Sequence, residues 1–374
     1  MIKTSDVLVI GGGLHGMSAA LQLARDGARV RLVERETVGR HASGVNAGGV
    51  RRLGRHVAEL PLSEKALAMW REMPNLVGDD CGFKPSGQIK IAESEADLEL
   101  LKARAEEVRG LGYEHEEIID QAALRELIPA VAEHCAGAMI VRGDGFADPY
   151  RTCIAFRRAA VAAGVEIDEG VAVEALEREG DIWRARTSAG DYQAPEVVNC
   201  AGAWGAVLAG QLGEPVPVRA AAYMMMVTQA VPRFVEPVVG LASRKLSLKQ
   251  MANGTVVIGG GFEGKPDVAT GKTALDVQGL AKSAEITCTI FPILRGACLV
   301  RAWAGIDGEA ADKIPVIGRS LVHEGLTHAF GFSGHGFQLM PAVGRALADL
   351  IRTGQPGLPL LPFSPGRFDK LLKE

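Results

Sequence analysis

The sequence lacks several features that would mark a specialised protein. None of its six cysteines, at 81, 135, 153, 200, 288 and 298, forms a Cys-x-x-Cys, and histidine does not cluster with them. That spacing argues against a disulfide framework or a zinc site, and it fits a reducing, cytoplasmic setting. Basic charge is not in excess: 41 Lys and Arg face 45 Asp and Glu, for a net charge of −4. Neither nucleic acid nor an anionic membrane is expected as a partner. No apolar run is long enough to span a bilayer. The apolar stretch 6–24 lacks a basic leader, follows Asp6 and is interrupted by glycine, so it reads as structure rather than as a signal peptide. Internal repeats and low-complexity linkers are absent too, so any domain division must come from interleaving.

What is present is an ordinary globular composition, 47% apolar and 23% charged over 374 residues. That is enough for two or three domains' worth of core. Glycine is abundant, at 46 residues, and clusters at 11–13, 48–49, 259–261 and 331–336. Clustered glycine marks tight turns or places where backbone must approach something closely.

The opening reads strand, turn, helix, strand. Val7-Leu8-Val9-Ile10 is a continuous apolar run, as in a buried parallel strand. Leu14, Met17, Leu21 and Ala24 then recur at helical spacing until Gly27. Val30–Val33 is the second strand, closed by Glu34. Further along, the pattern predicts helices over 94–111, 121–128 and 150–163, and strands over 165–199. The stretch 216–260 is strand-rich. A last helix carries Leu339, Val343, Leu347 and Leu350 on one face, with Pro341 in its first turn.

Between the first strand and its helix lies Gly11-Gly12-Gly13-Leu14-His15-Gly16. A Gly-x-Gly-x-x-Gly is weak alone, but a strand before it, a helix after it and Glu34 beyond it make a dinucleotide fingerprint. The glycines admit the pyrophosphate to the backbone, and the helix N-terminus offers N–H groups and partial positive charge. Glu34 would accept from the adenosine ribose hydroxyls and repel a 2′-phosphate. The fingerprint does not separate FAD from NAD. The small, polar, Gly-rich segment from His41 to Arg52 suits a flavin's ribityl chain and ring better than a nicotinamide.

With these residues in hand, the chain resembles the D-amino-acid oxidase-like family of FAD-dependent oxidoreductases, which includes sarcosine and glycine oxidases. The resemblance spans nearly the whole chain. It rests on the fingerprint with Glu34, on Ala42-Ser43-Gly44-x-Asn46-Ala47-Gly48-Gly49, on Asp144-Gly145-x-x-Asp148-Pro149 and on Val197-Val198-Asn199-Cys200-Ala201-Gly202-Ala203-Trp204. It rests also on Arg301-x-Trp303-x-Gly305 with Asp312-x-x-Pro315-Val316-Ile317-Gly318, on Gly331-Phe332-Ser333-Gly334-His335-Gly336-Phe337, and on the ending Phe363-Ser364-Pro365-x-Arg367-Phe368.

The resemblance implies an α/β fold, a Rossmann-like FAD-binding domain interleaved with an α+β substrate domain carrying an antiparallel sheet. The first would take 1–78, 145–218 and 298–366, the second 79–144 and 219–297. FAD would be held by Gly11–Gly16, Glu34, Arg35, His41, Ala42, Ser43, Asn46–Gly49, Val173, Ala201, Gly202, Trp204, Gly305 and Gly334–Gln338. The positions where relatives attach flavin covalently hold Gly305 and Asn46 here, which implies noncovalent FAD.

The chemistry implied is hydride transfer from a carbon bearing an amine to flavin N5, giving an imine that hydrolyses. A neutral amine needs no strong general base, and no obvious one is present. An amino-acid carboxylate needs a cation, for which Arg51, Arg52, Arg55 and Arg301 are candidates. Tyr223 is a further candidate for substrate contact, or a core residue. Two positions depart from the family: Asp307 replaces an Arg of glycine-oxidase-like members, and Gln338 a Lys of sarcosine-oxidase-like ones. Asp307 would meet a cationic or hydroxylated group on a larger secondary amine, of opine or hydroxyproline type, or cap a local turn. Val257 stands where sarcosine-oxidase-like members carry an oxygen-promoting Lys. That favours a dehydrogenase passing electrons to a quinone, a carrier or a partner subunit in a hetero-oligomer. The alternative outside flavin chemistry is an NAD-dependent dehydrogenase.

Overall fold

The computed structural model describes residues 2–369. The apolar run Val7–Ile10 lies inside a six-stranded sheet of order 316–319, 326–330, 196–199, 7–10, 30–34, 166–169. Its strands pair in parallel except Val316–Arg319, which runs antiparallel to Leu326–Phe330 at one edge. Both faces are covered, which is why the strand sequence is apolar at every position. Val7 and Val9 face a core with helices Leu14–Arg25, Leu60–Arg71, Pro149–Ala162 and Gly336–Thr353. Leu8 and Ile10 face the antiparallel strands Val173–Glu179, Ile182–Thr187 and Gly190–Ala194, where Trp183 and Tyr192 are buried.

The larger sheet has ten strands and is mostly antiparallel, with Val238–Leu241 beside Gln88–Ala92 as a parallel pair. Ile89, Ile91, Val239, Leu248 and Ile258 point to a second core under helix Val277–Ile290. The opposite face of this sheet turns toward the nucleotide-binding half.

The structure departs from the sequence reading in three places. Strand Leu299–Ala310, assigned above to the nucleotide-binding unit, pairs antiparallel with Val218–Thr228 along its length and so belongs to the larger sheet. Strands Val256–Gly259 and Glu263–Asp267 pair with 218–228 only at residues 226–227 and 222–223, and strand 299–310 supplies the continuous ladder partner that its backbone groups need. The last helix begins at Gly336, so Pro341 lies beyond the first turn and costs the Phe337 carbonyl its helical donor. Helices Leu60–Arg71 and Val277–Ile290 add to those expected from the pattern.

Candidate functional site

A cavity of about 810 Å³ runs between the two sheets. Its nucleotide end is built by the fingerprint. Gly11 has φ +107°, and a Cβ there would stand 2.4 Å from the Cys200 carbonyl oxygen. A Cβ on Gly16 would stand 2.1 Å from the Gly11 oxygen. Only glycine lets strand, turn and helix approach this closely. Gly13 caps helix Leu14–Arg25 and has no side chain of its own to cover the helix N-terminus, whose N–H groups can face an anion. Gly11, Gly13, Leu14 and His15 line the cavity. Gly12 and Gly16 lie behind them.

Glu34 is buried at the end of its strand. One carboxylate oxygen accepts the Gly12 N–H at 2.6 Å and the other the Glu36 N–H at 2.9 Å. Each oxygen keeps a lone pair, which suits two ribose hydroxyls. Arg35 stacks on Trp204 with 4.5 Å from guanidinium to ring, and Val173, Ala201 and Gly202 complete this end.

The segment 41–49 follows the cavity wall. Asn46 staples it, donating to the carbonyls of Ala42 and Ser43 at 2.9 Å and accepting the Gly48 N–H at 2.7 Å. Ser43 Oγ accepts the Leu14 N–H at 2.9 Å, tying the segment to the fingerprint helix. Gly305 lies against it, where a Cβ would meet Val45 at 2.2 Å. His41, Ala42, Ala47 and Gly49 line the same wall. His41 Nε2 is 2.9 Å from Glu36 Oε1.

The far end is closed by the turn 331–336. Ser333 adopts φ 54°, an uncommon value for a residue with a Cβ, and its hydroxyl accepts the Ala310 N–H at 3.1 Å. Gly334, His335, Gly336 and Phe337 line the cavity, and the helix opening at Gly336 has no side-chain cap. The turn is pinned by Asp307, whose carboxylate accepts the N–H groups of Gly308 at 2.8 Å and Gly334 at 2.7 Å. Burial pushes the Asp307 carboxyl up to about 6, against the pull of those two donors. Tyr223 packs its ring on Gly334 and donates its hydroxyl to Glu309.

The four candidate arginines separate. Arg51 lines the cavity, with one hydrogen bond from Nη1 to the Leu53 carbonyl at 2.7 Å. Arg55 is sequestered: it donates to the carbonyls of Arg51 and His335 at 3.0 and 2.8 Å and to Gln338 Oε1 at 3.1 Å. It serves as a brace between the 41–55 segment and the closing turn, not as a free anchor. Arg52 is outside the cavity, its Nε 3.6 Å from Asp144. Arg301 is exposed at the start of its strand and is not among the residues that line the cavity.

Gln338 is likewise displaced from the expected ligand contacts. It is wholly buried, donates to the Ser63 carbonyl at 2.7 Å and receives the Trp70 indole on its own carbonyl at 2.8 Å. A helical side chain two residues past Gly336 points back into the bundle, and packing satisfied it there.

Two lysines escaped the sequence reading. Lys90, in the middle of strand Gln88–Ala92, lines the cavity under Gly54. Lys249 is the cross-strand partner of Val257. It is 5% exposed, stands 4.5 Å from the Phe146 ring, and its ammonium lies 3.0 Å from where a Cβ on Gly48 would be. Burial draws its pKa down to about 8. Lys90 lies between Ile89 and Ile91, whereas Lys249 sits in the largely polar strand Ser247–Gln250, and neither position stands out in sequence from an exposed strand face.

The fold and the site have clear relatives. A family model described as FAD dependent oxidoreductase matches residues 6–350. Glycine oxidase of Geobacillus kaustophilus is 26% identical over 371 residues, covering 97% of each chain. Sarcosine oxidase subunit beta of Rhizobium meliloti is 23% identical over 98% of this chain and 88% of its own. The crystal structure of L-proline dehydrogenase from P. horikoshii superposes with a TM-score of 0.91 at 26% identity, covering 99% of both chains. The nicotinamide alternative falls with the match to the FAD-dependent family model. Among the described residues no helix is long and apolar enough to cross a membrane. The glycine turn and Glu34 at one end, and the uncapped helix at the other, fit an extended flavin dinucleotide, and the chain belongs to the FAD-dependent oxidoreductase family, as an enzyme that oxidises an amino acid or amine with FAD.

Proposed function

We propose that the cavity holds FAD noncovalently and that Arg51 anchors the carboxylate of an amino acid or N-substituted amino acid beside the flavin ring. When bound, FAD supplies a hydride acceptor at N5, and the resulting imine is released to water. The observation that carries this reading is Arg51 itself, a half-buried guanidinium on the cavity wall with one carbonyl acceptor and no carboxylate partner among the described residues. Its planar fork suits a carboxylate. Segment 41–49 and the turn 331–336 place and enclose the reacting carbon, the share of the work that falls to protein in a flavin enzyme. Noncovalent attachment is supported by Gly305 and Asn46, which offer no nucleophile, and by Glu36 holding His41 Nε2.

Electrons then pass to a quinone, a carrier or a partner subunit, a dehydrogenase reading supported by Val257 and by the likeness to L-proline dehydrogenase. The likeness to a sarcosine oxidase subunit supports a hetero-oligomer as a setting. Lys249 favours a second reading, an oxidase, because it supplies a buried cation behind Gly48 from the strand next to Val257. Anaerobic bleaching of the flavin absorbance by D-amino acids, N-methyl amino acids, cyclic imino acids and opines tests the function. An unbleached flavin across the panel overturns it. Stoichiometric peroxide at high turnover decides for the oxidase.

A further inference from the structure

The charges behind the substrate end of the cavity do not balance. Three buried acids lie there: Glu59, Glu116 and Asp144. Each has an arginine of its own. Glu59 is 3.8 Å from Arg55, Glu116 is 3.3 Å from Arg104, and Asp144 is 3.6 Å from Arg52. Backbone takes up part of what remains: Glu116 accepts the Gly54 N–H at 2.6 Å, and one Asp144 oxygen accepts the N–H groups of Arg52 and Leu53 at 2.6 and 2.9 Å, while Glu59 Oε1 lies 3.3 Å from His335 Nδ1. The two cations left over are Arg51 and Lys90, and both line the cavity.

Among the described residues no carboxylate lies within 4 Å of either, and the Lys90 ammonium has no hydrogen-bond acceptor. Burial lowers the pKa of both; the like charge of Arg51 lowers that of Lys90 further, while the acids Glu59, Asp144 and Glu116 pull that of Arg51 back up. The neighbouring histidines, His115 and His335, are drawn down by burial and so add no charge near neutrality. Desolvated cations facing an apolar cavity are costly unless a ligand completes them. The carboxylate of a simple amino acid would complete only one.

We propose that Lys90 forms a second anion subsite beside Arg51, and that the substrate is an amino acid carrying a second carboxylate. Strand Gln88–Ala92 sets the geometry. Gln88 donates to the carbonyls of Val50 at 3.3 Å and Gly145 at 2.6 Å, fixing the strand under the loop that carries Arg51. Lys90, two residues on, shares its face, pairs with Gly240 of the neighbouring strand and reaches the cavity under Gly54. The second carboxylate sits on the substrate's side chain or on its nitrogen substituent. This inference rests on the cavity being the amine-oxidation site, and its test is kept separate from turnover.

Holoenzyme is titrated with unreactive acids while the flavin spectrum is read. Succinate and glutarate are expected to bind at least about tenfold tighter than acetate and butyrate. In Lys90→Met the dicarboxylates weaken by about tenfold or more and the monocarboxylates stay within about twofold. Equal losses for both classes, or none for either, overturn the proposal. If Lys90→Met fails to retain flavin, the wild-type preference decides alone, and its absence overturns the subsite. Bleaching by aspartate and glutamate against N-carboxyalkyl amino acids then separates the two sources of the second acid. If no amine bleaches the flavin while dicarboxylates still shift its spectrum, amine oxidation falls and the subsite stands.

Discussion

The carboxylate of Asp307 accepts the backbone N–H of Gly334 at 2.7 Å. One acidic side chain on a sheet strand thereby holds the turn that opens the last helix onto the cavity. An acid in place of a family cation changes the job of the position, from meeting substrate to building the wall.

Asp307→Asn tests that role. One amide oxygen cannot serve two donors in the same geometry, and a stability loss of about 1–3 kcal/mol is expected. Flavin retention should weaken, and kcat/KM should fall by a similar factor for every substrate, with no change in substrate preference. The folded-state pKa of about 6 lies above the ordinary 3.8. The fold therefore holds more protons between those values, so this group's contribution is full below pH 3.8 and fades as pH rises through 6. The difference in chemical-denaturation stability between wild type and variant, measured across that window, should show this slope. A changed substrate preference would return Asp307 to the pocket.

Arg51 and Arg301 give opposite expectations. Arg51→Met should lower kcat/KM for the amino-acid substrate by about a hundredfold or more, through loss of a charge-assisted anchor in a desolvated site. Arg301→Ala should stay within about twofold, since its side chain is exposed and away from the cavity. Steady-state kinetics with the best substrate of the bleaching panel reads both.

Lys249 predicts a pH effect of the opposite sign to Asp307. Its pKa of about 8 in the fold lies below the ordinary 10.5, so the folded chain carries fewer protons than the unfolded one between those values. Stability therefore rises with pH across that window, by roughly 3 kcal/mol from this group. In Lys249→Met the rise should vanish, and the variant should be at least as stable as wild type at pH 7. Peroxide formation in the same variant separates the two electron-acceptor readings: a large fall supports the oxidase, and no change supports the dehydrogenase.

Gly11→Ala should yield protein without flavin. The added methyl meets the Cys200 carbonyl at 2.4 Å, at a backbone φ of +107° that a Cβ disfavours. Absorbance of the purified variant near the flavin bands measures the loss, and wild-type flavin content would contradict the reading of the turn.

Local order was legible in the sequence wherever a short segment carries its own reason. The strand Val7–Ile10 is apolar throughout because both its faces are covered, and the glycines at 11 and 16 follow from backbone crowding at one turn. Glu34 falls at the end of the adjacent parallel strand, so the dinucleotide end could be read from spacing alone. The final helix announced itself by a single apolar face. These are properties of residues near one another in the chain.

What only the tertiary structure decided are the meetings between distant segments. Arg51, Arg52 and Arg55 look interchangeable in sequence. One faces the cavity, one an internal acid and one the closing turn, because the chain rotates through a short irregular stretch where periodicity says nothing. Gln338 follows a family motif yet turns into the helix bundle, where Ser63 and Trp70 satisfy it. Strand 299–310 crosses to the other sheet because 218–228 has an open edge, a long-range pairing that no local pattern encodes. Lys90 and Lys249 read as ordinary surface lysines until sheet pairing brings one under Gly54 and the other behind Gly48. A side chain's chemistry is set by its composition, but its desolvation, partners and direction come from whichever segment folds against it.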